Sequence, residues 1–260
     1  MIKLPDEVDD QEAILLSDIF PTGYFAADIA NIHAGHTVAV FGCGPVGQFT
    51  IASAMHMGAG RVIAIDTIES RLEMARNQEA EIIDFNDVDP VERIRKLTGG
   101  IGADRAIDAV GVDAMAPLTG PRAEKEAGRI EKRIQQVRQI APGAHPHRGN
   151  WVPGNAPSEV LEWGVSALAK GGQFAIVGVY PEAARHFPIG QAMMKNLTVR
   201  MGNCNHRRYA PKLVEMVRAG VFQPTSMLSQ IEPLTNAVEA YRSFDERRPG
   251  WLKVELIPAA

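Results

Sequence analysis

From Thr37 onward, short apolar runs rich in β-branched residues alternate with amphipathic stretches: TVAVF, PVGQFTIASAMHMG, RVIAID, ESRLEMARNQ, EIIDF, DPVERIRKLTGG and DRAIDAVG. Apolar runs of about five residues separated by helical patterns of about 10 to 15 predict repeated βαβ units and a parallel sheet whose strands are buried on both faces. The fold class predicted is therefore α/β, a doubly wound parallel sheet of Rossmann type.

After Gly111 the rhythm breaks. Residues 121–139, PRAEKEAGRIEKRIQQVRQ, are charged, with a thin helical stripe at Ile130, Ile134 and Val137. Residues 141–157 are rich in Pro, Gly and His and read as loop. Together they predict an insertion over 113–157, its charged helix a solvated arm or an interaction surface, anchored by Trp151 and Trp163. The HPH triplet at 145–147 suggests an exposed loop before it suggests a metal site.

The pattern resumes as helix, Gly turn and strand in SEVLEWGVSALAKGGQFAIVGV, followed by a last strand at LTVRM. Helices at about 209–219 and 234–244 and a terminal strand LKVELI complete the chain. Upstream, LLSDIFPTGY sets one carboxylate, Asp18, between apolar runs and follows it with a Pro-Thr-Gly sequence expected to turn. A lone acid in such a setting is either at a surface or bound to something, because burying it unpaired is costly.

Composition narrows the function classes. Hydrophobic residues make up 45% and charged residues 22% of the 260 residues, the mix of an ordinary globular protein. With 27 Lys and Arg against 31 Asp and Glu, the net charge of -4 predicts no broad basic surface and no nucleic-acid partner, and favours small molecules. No apolar run approaches a bilayer-crossing length, and MIKLPDEVDD lacks the pattern of a signal peptide, so a cytoplasmic protein with no membrane partner is expected. Two cysteines, Cys43 and Cys204, are too few for a disulfide framework or a four-cysteine zinc lobe.

The chemistry concentrates after the first strand. GCGPVG places Gly42, Gly44 and Gly47 in G-x-G-x-x-G spacing at the opening of a helix. In a dinucleotide site the first glycine permits the tight turn, the second the approach of a pyrophosphate, and the third close packing of helix on strand. The helix N-terminus supplies free N–H groups and partial positive charge. A purely structural glycine turn remains an alternative, but the second strand ends in Asp66, about 20 residues on, where a carboxylate is needed for ribose hydroxyls. An acid there repels the extra phosphate of NADP and favours NAD. A methyltransferase of Rossmann type would share the turn and the acid but usually lacks the third glycine.

As an ordered set, LLSDIFPTGY, TVAVFGCGPVG, RVIAID with Arg71, AIDAVG, the insertion before the fifth strand, AIVGVYP, MGNCNHRRY and the terminal KVEL resemble the medium-chain, zinc-dependent alcohol dehydrogenase family. Within it they look most like the glutathione-independent formaldehyde dehydrogenase branch. The resemblance implies hydride transfer between an alcohol or hydrated aldehyde and NAD, with zinc polarising the substrate oxygen. It implies that Asp18 is a zinc ligand, that Thr22 lies near the nicotinamide, and that Gly42, Gly44, Pro45, Val46 and Gly47 hold the pyrophosphate. It further assigns Asp66 and Arg71 to the adenosine ribose, Val110 to the adenine side, Val177, Gly178 and Val179 to the nicotinamide, and Lys253 to a phosphate. His206 would approach the cleft.

The resemblance also implies a domain plan: 1–20 a remnant of a catalytic domain, 21–202 the NAD-binding domain, and 203–260 a segment returning to the catalytic domain. In the family an N-terminal GroES-like domain supplies a Cys and a His to the zinc. Here the first His is His33 and the first Cys is Cys43, which sits inside the glycine turn and is a poor ligand. One protein ligand does not hold a catalytic zinc. The expectation is thus an NAD-binding portion of a dehydrogenase, truncated and inactive alone, with an NAD-binding module completed by another chain as the second reading. The former predicts exposed apolar surface, the latter a polar one. A homodimer or homotetramer through the edge strand LTVRM is expected from the family.

Overall fold

A computed structural model describes residues 3–143 and 152–258. Helices α1 (Asp10–Leu16) and α2 (Ile19–Ile29) lead into β1 (Thr37–Phe41). Then come α3 (Pro45–His56), β2 (Arg61–Asp66), α4 (Glu69–Asn77), β3 (Glu81–Asp84), α5 (Pro90–Leu97) and β4 (Ala103–Asp108). The insertion carries α6 (Gly120–Glu126) and α7 (Ile130–Ile140), and the main fold resumes with α8 (Glu159–Ala167), β5 (Leu168–Ile176), α9 (Ile189–Met194) and β6 (Thr198–Met201). The C-terminal segment holds α10 (His206–Arg218), β7 (Gln230–Pro233), α11 (Ala237–Asp245) and β8 (Val254–Ile257).

The first six strands form one parallel sheet in the order β3-β2-β1-β4-β5-β6. The order reverses between β1 and β4, which opens a crevice at the carboxyl ends of the strands. Side-chain alternation explains why both faces are covered. Val38, Val40, Val62 and Ala64 point to one core, and Ala39, Phe41, Ile63 and Ile65 point to the other. The doubly wound parallel sheet predicted from the apolar runs is what the structure shows.

Two local expectations are corrected. The Pro-Thr-Gly turn expected at 21–23 is instead the first part of α2, with Asp18 at its N-cap and the Thr22 N–H donating to the Asp18 carbonyl at 2.9 Å. Pro21 is tolerated because a first-turn residue has no intrahelical N–H bond to lose. Gly23 then brings α2 against α3, where a Cβ would stand 2.6 Å from the Phe49 Cβ, and Phe20 stacks on Phe49 with ring centroids 4.7 Å apart.

The insertion is not a solvated arm, and its stripe does not face the body: Ile130 and Ile134 are exposed, and the buried positions of α7 are Arg133 and Gln136. Arg133 pairs with buried Glu159 of α8 at 2.6 Å, Arg129 pairs with Glu162 at 2.6 Å, and Arg122 reaches Asp89 at the head of α5 at 3.2 Å. Gln136 accepts from the Ser158 hydroxyl at 2.9 Å. A helix can bury a charged face when each charge meets a partner already fixed on the body.

Trp163 meets the insertion from within the body. It belongs to the core beside Phe41 and Phe85 and carries the Arg122 guanidinium 5.9 Å from its ring centroid. Trp151 and the HPH triplet lie outside the described residues. The terminal strand read from LKVELI pairs in parallel with β7, which the sequence pattern did not show, in a separate two-stranded sheet.

Candidate functional site

The chain leaves β1 through Gly42 with φ of 90°, close enough to the neighbouring strand that a Cβ there would meet the Val110 Cγ2 at 2.5 Å. Gly47, inside the first turn of α3, lies against the Gly42 carbonyl, where a Cβ would come to 1.9 Å. Gly44 is the N-cap of α3 and differs from both. Its Cβ direction is open, the nearest group being the Arg71 Nη1 at 3.7 Å, and no side chain caps the helix. With Pro45 as the first helical residue, the turn presents the free main-chain N–H groups of Val46 and Gly47 to the crevice.

Asp66 stands at the end of β2, buried beside this turn. Its Oδ2 accepts the Cys43 N–H at 2.7 Å, and its Oδ1 accepts those of Thr67 at 2.7 Å and Ile68 at 3.1 Å. A carboxylate has about four acceptor positions, so one remains for a hydroxyl. Gln48, fully buried, donates to the carbonyls of Cys43 and Arg71 at 2.9 Å each, which joins the glycine turn to α4. Burial, and then the Asp66 carboxylate, push the Cys43 thiol well up, so it stays neutral.

These groups border a cleft of about 600 Å³. Gly42, Gly44, Asp66, Thr67 and Arg71 form one side; Val110, Asp113 and the 152–154 stretch of the insertion form another, and Phe244, Asp245 and Arg247 close it from the C-terminal segment. Burial holds the Arg71 guanidinium below its usual range, with Asp66 opposing this and Arg247 adding to it.

Val177, Gly178 and Val179 follow β5 outside this cleft. The N–H groups of Val177 and Gly178 donate to the Asp108 carbonyl at 3.0 and 2.9 Å. The Asp108 carboxylate accepts Val110 N–H and Gly111 N–H through Oδ1 at 2.8 and 2.9 Å and the Tyr180 hydroxyl through Oδ2 at 2.7 Å. One residue at the end of β4 therefore ties both loops that face the crevice. Burial pushes the Asp108 carboxyl up, opposed by these hydrogen bonds, and pushes the Tyr180 phenol up as well.

Asp18 and Thr22 meet at the N-terminus of α2. The Asp18 side chain is 70% exposed, and its Oδ1 accepts from the Thr22 hydroxyl at 3.1 Å and lies 3.0 Å from the His206 Nε2. Cys204 is half-buried beside them, its thiol pushed up to about 11 by burial and then by Asp18, with a hydrogen bond to Thr22 opposing. Among the described residues no three His, Cys, Asp or Glu side chains gather as a metal site. Lys253 precedes β8, its carbonyl accepting the Ser229 N–H at 2.9 Å, and its side chain does not border the cleft.

Of the residues named from the sequence, the structure thus brings Gly42, Gly44, Pro45, Asp66, Arg71 and Val110 to one cleft. Val46 and Gly47 stand just behind, in the first turn of α3. Arg247, Gln48 and Tyr180 were missed. Gln48 and Tyr180 carry no spacing signal, and ERRPG around Arg247 reads as a polar turn.

A parallel sheet whose order reverses beside a glycine turn, with an acid closing the next strand, defines a Rossmann-type α/β fold. Residues 45–120 match the family model described as zinc-binding dehydrogenase. Over 260 residues the chain is 32% identical to the uncharacterized zinc-type alcohol dehydrogenase-like protein AdhB of Bacillus subtilis (strain 168), covering 98% of this chain and 62% of that protein. It is 38% identical over 129 residues to the NADP-dependent isopropanol dehydrogenase of Thermoanaerobacter brockii, covering 49% of this chain and 36% of that protein. Among solved structures, alcohol dehydrogenase TADH from Thermus sp. ATN1 superimposes with a TM-score of 0.77 at 28% identity, covering 99% of this chain and 62% of that one.

The chain is thus similar to zinc-type alcohol dehydrogenase-like proteins over almost all of its own length. It spans about three-fifths of the length of AdhB and TADH.

Proposed function

We propose that this chain binds NAD as the cofactor-binding portion of a zinc-type alcohol or aldehyde dehydrogenase. The observation that carries this reading is the uncapped N-terminus of α3 at Gly44, open to the cleft, with the Asp66 carboxylate fixed beside it. The pyrophosphate would lie on the N–H groups of Val46 and Gly47, where the helix dipole favours an anion. The remaining acceptor position of Asp66 would take a ribose hydroxyl, with Arg71 over the glycine turn and Val110 beside the adenine. The loop 177–179 would border the nicotinamide, held in place by Asp108, with Thr22 on the other side. When bound, NAD supplies the hydride acceptor; the residues here bind and orient it.

Among the described residues no group makes a zinc centre. Asp18 is the ligand that the resemblance assigns, yet its neighbours His206 and Cys204 do not complete a metal-binding group among the described residues. Hydride transfer is assigned to an assembly that brings further ligands to Asp18. Apolar surface on the C-terminal segment favours this over a self-sufficient module: Val238 and Tyr241 are 75% and 71% exposed, and Ile231, Leu234 and Ile257 border a shallow apolar depression of about 340 Å³. Met193, Met194 and Met201, exposed at the free edge beside β6, fit association of two copies through that edge. The formaldehyde dehydrogenase branch is proposed from the long insertion together with the MGNCNHRRY segment.

Titration calorimetry of the purified chain with NAD and with zinc tests the reading. One NAD per chain, lost in an Asp66→Ala variant whose melting transition remains cooperative, together with no stoichiometric zinc, is the expected result. Absence of NAD binding in the unaltered chain would overturn it.

A further inference from the structure

We propose that Arg247 is a cofactor-positioning residue which, with Arg71, takes a phosphate group on the adenosine half of the dinucleotide; this rests on the dinucleotide reading above. The fold delivers Arg247 to the cleft from a distant part of the chain. After α11 the backbone folds back, the Arg247 N–H donating to the Phe244 carbonyl at 3.0 Å and the Arg248 N–H to the Ser243 carbonyl at 3.1 Å. This pair of bonds is the helix-ending turn that requires a left-handed residue, usually glycine. Here the left-handed residue is Arg247, with φ of 53°. A non-glycine side chain strains that conformation, and strain of this kind concentrates where a side chain has a task.

The two adjacent arginines have separate fates. Arg248 is tied to Glu239 at 2.9 Å and to Glu246 at 2.8 Å on the outer surface. Arg247 borders the cleft, and among the described residues its guanidinium hydrogen-bonds to the neutral Asp113 carbonyl alone, through Nη2 at 3.4 Å. A guanidinium has five N–H donors in a planar fork, so most of its capacity is left open at the solvent-exposed border of the cleft.

Arg71 borders the same cleft and lies over Gly44. The two cations are near enough that Arg247 disfavours the charge on Arg71. Two like charges converging beside an open helix N-terminus are relieved by an anion between them. The rim acids Asp113 and Asp245 border the cleft too, and Asp66 is engaged by three main-chain N–H groups. In the dinucleotide a phosphate occurs either in the pyrophosphate or, in the phosphorylated cofactor, on the adenosine ribose.

Titration calorimetry of the full 260-residue chain with NAD, NADP and adenosine, at low and high salt, tests the proposal on the unaltered protein and on Arg247→Ala, Arg247→Lys and Arg247→Gly. Arg247→Ala is expected to weaken dinucleotide binding about tenfold and to flatten its salt dependence, with adenosine binding unchanged. Arg247→Lys should recover part of the loss. Arg247→Gly should raise the melting temperature by relieving the turn and still bind weakly, which a merely structural arginine would not do.

An equal loss for NAD and NADP assigns the pair to the pyrophosphate, and a loss confined to NADP assigns it to the ribose phosphate. Dinucleotide affinities of Arg247→Ala within about twofold of the unaltered chain would overturn the proposal, as would an equal loss for adenosine. If the unaltered chain binds neither dinucleotide, the reading beneath it falls as well.

Discussion

Asp66 and Cys43 are joined across 23 residues of sequence by a 2.7 Å hydrogen bond from the Cys43 N–H to the Asp66 Oδ2. The acid that the resemblance assigns to the ribose is thus also part of the scaffold of the glycine turn. Replacing Asp66 by Asn puts an amide donor where one of these acceptor oxygens stands, leaving at least one buried N–H unpaired. The expected loss is about 1–3 kcal/mol in urea unfolding, together with at least about tenfold weaker NAD binding.

Glycines 44 and 47 share a motif but not a constraint. Gly47→Ala forces a Cβ to within 1.9 Å of the Gly42 carbonyl oxygen, whereas the Cβ of Gly44→Ala has free space. Thermal melting should fall by several degrees for Gly47→Ala and hardly move for Gly44→Ala, which should still bind NAD more weakly because its methyl group covers the phosphate approach.

Asp108 gives a pH dependence of definite sign. Its carboxyl is raised from 3.8 by burial, so the folded protein holds this proton more tightly than the unfolded chain does. Its contribution to stability therefore decreases as pH rises from 3.8 through the folded value. Asp108→Asn retains an acceptor for the Val110 and Gly111 N–H groups and should lack that decrease. Urea unfolding of both proteins across this range measures the difference.

The insertion is held by charge pairs, and buried Glu159 faces two of its cations, Arg133 at 2.6 Å and Arg122 at 3.5 Å. Glu159→Gln removes the charge facing Arg133 at 2.6 Å. A destabilisation of about 3–5 kcal/mol, felt first as release of the arm, is expected. Limited proteolysis should then cut within 113–157 well before the unaltered protein is cut.

How much of this was legible in the sequence differs by the kind of signal. Strands β1 and β2 were plain because both faces are buried and the apolar runs are continuous, as in TVAVF and RVIAID. The glycine turn was plain because its spacing has few other uses. The helix α2 was hidden by Pro21 and Gly23, which read as a turn when local propensity is the only guide. In the structure Pro21 falls within the first turn and Gly23 serves a helix crossing.

The insertion misled for a different reason. Apolar periodicity pointed to Ile130 and Ile134, but the burying face is set by Arg133, Gln136 and their partners on α8. Those partners are 22 to 26 residues away in sequence. Arg247 was illegible because its role depends on a turn after α11 that brings it beside Arg71, more than half the chain away.

The contact of Gly23 with Phe49 and Thr50 has a mechanical consequence. Helices α2 and α3 begin at Asp18 and Gly44 and cross without a side chain between them at Gly23. A change of tilt in either helix would drive backbone into backbone, so the pair moves as one rigid body. Whatever is held at Asp18 keeps its distance from whatever rests on the N-terminus of α3. Any opening or closing of the protein must therefore hinge elsewhere and carry both positions together.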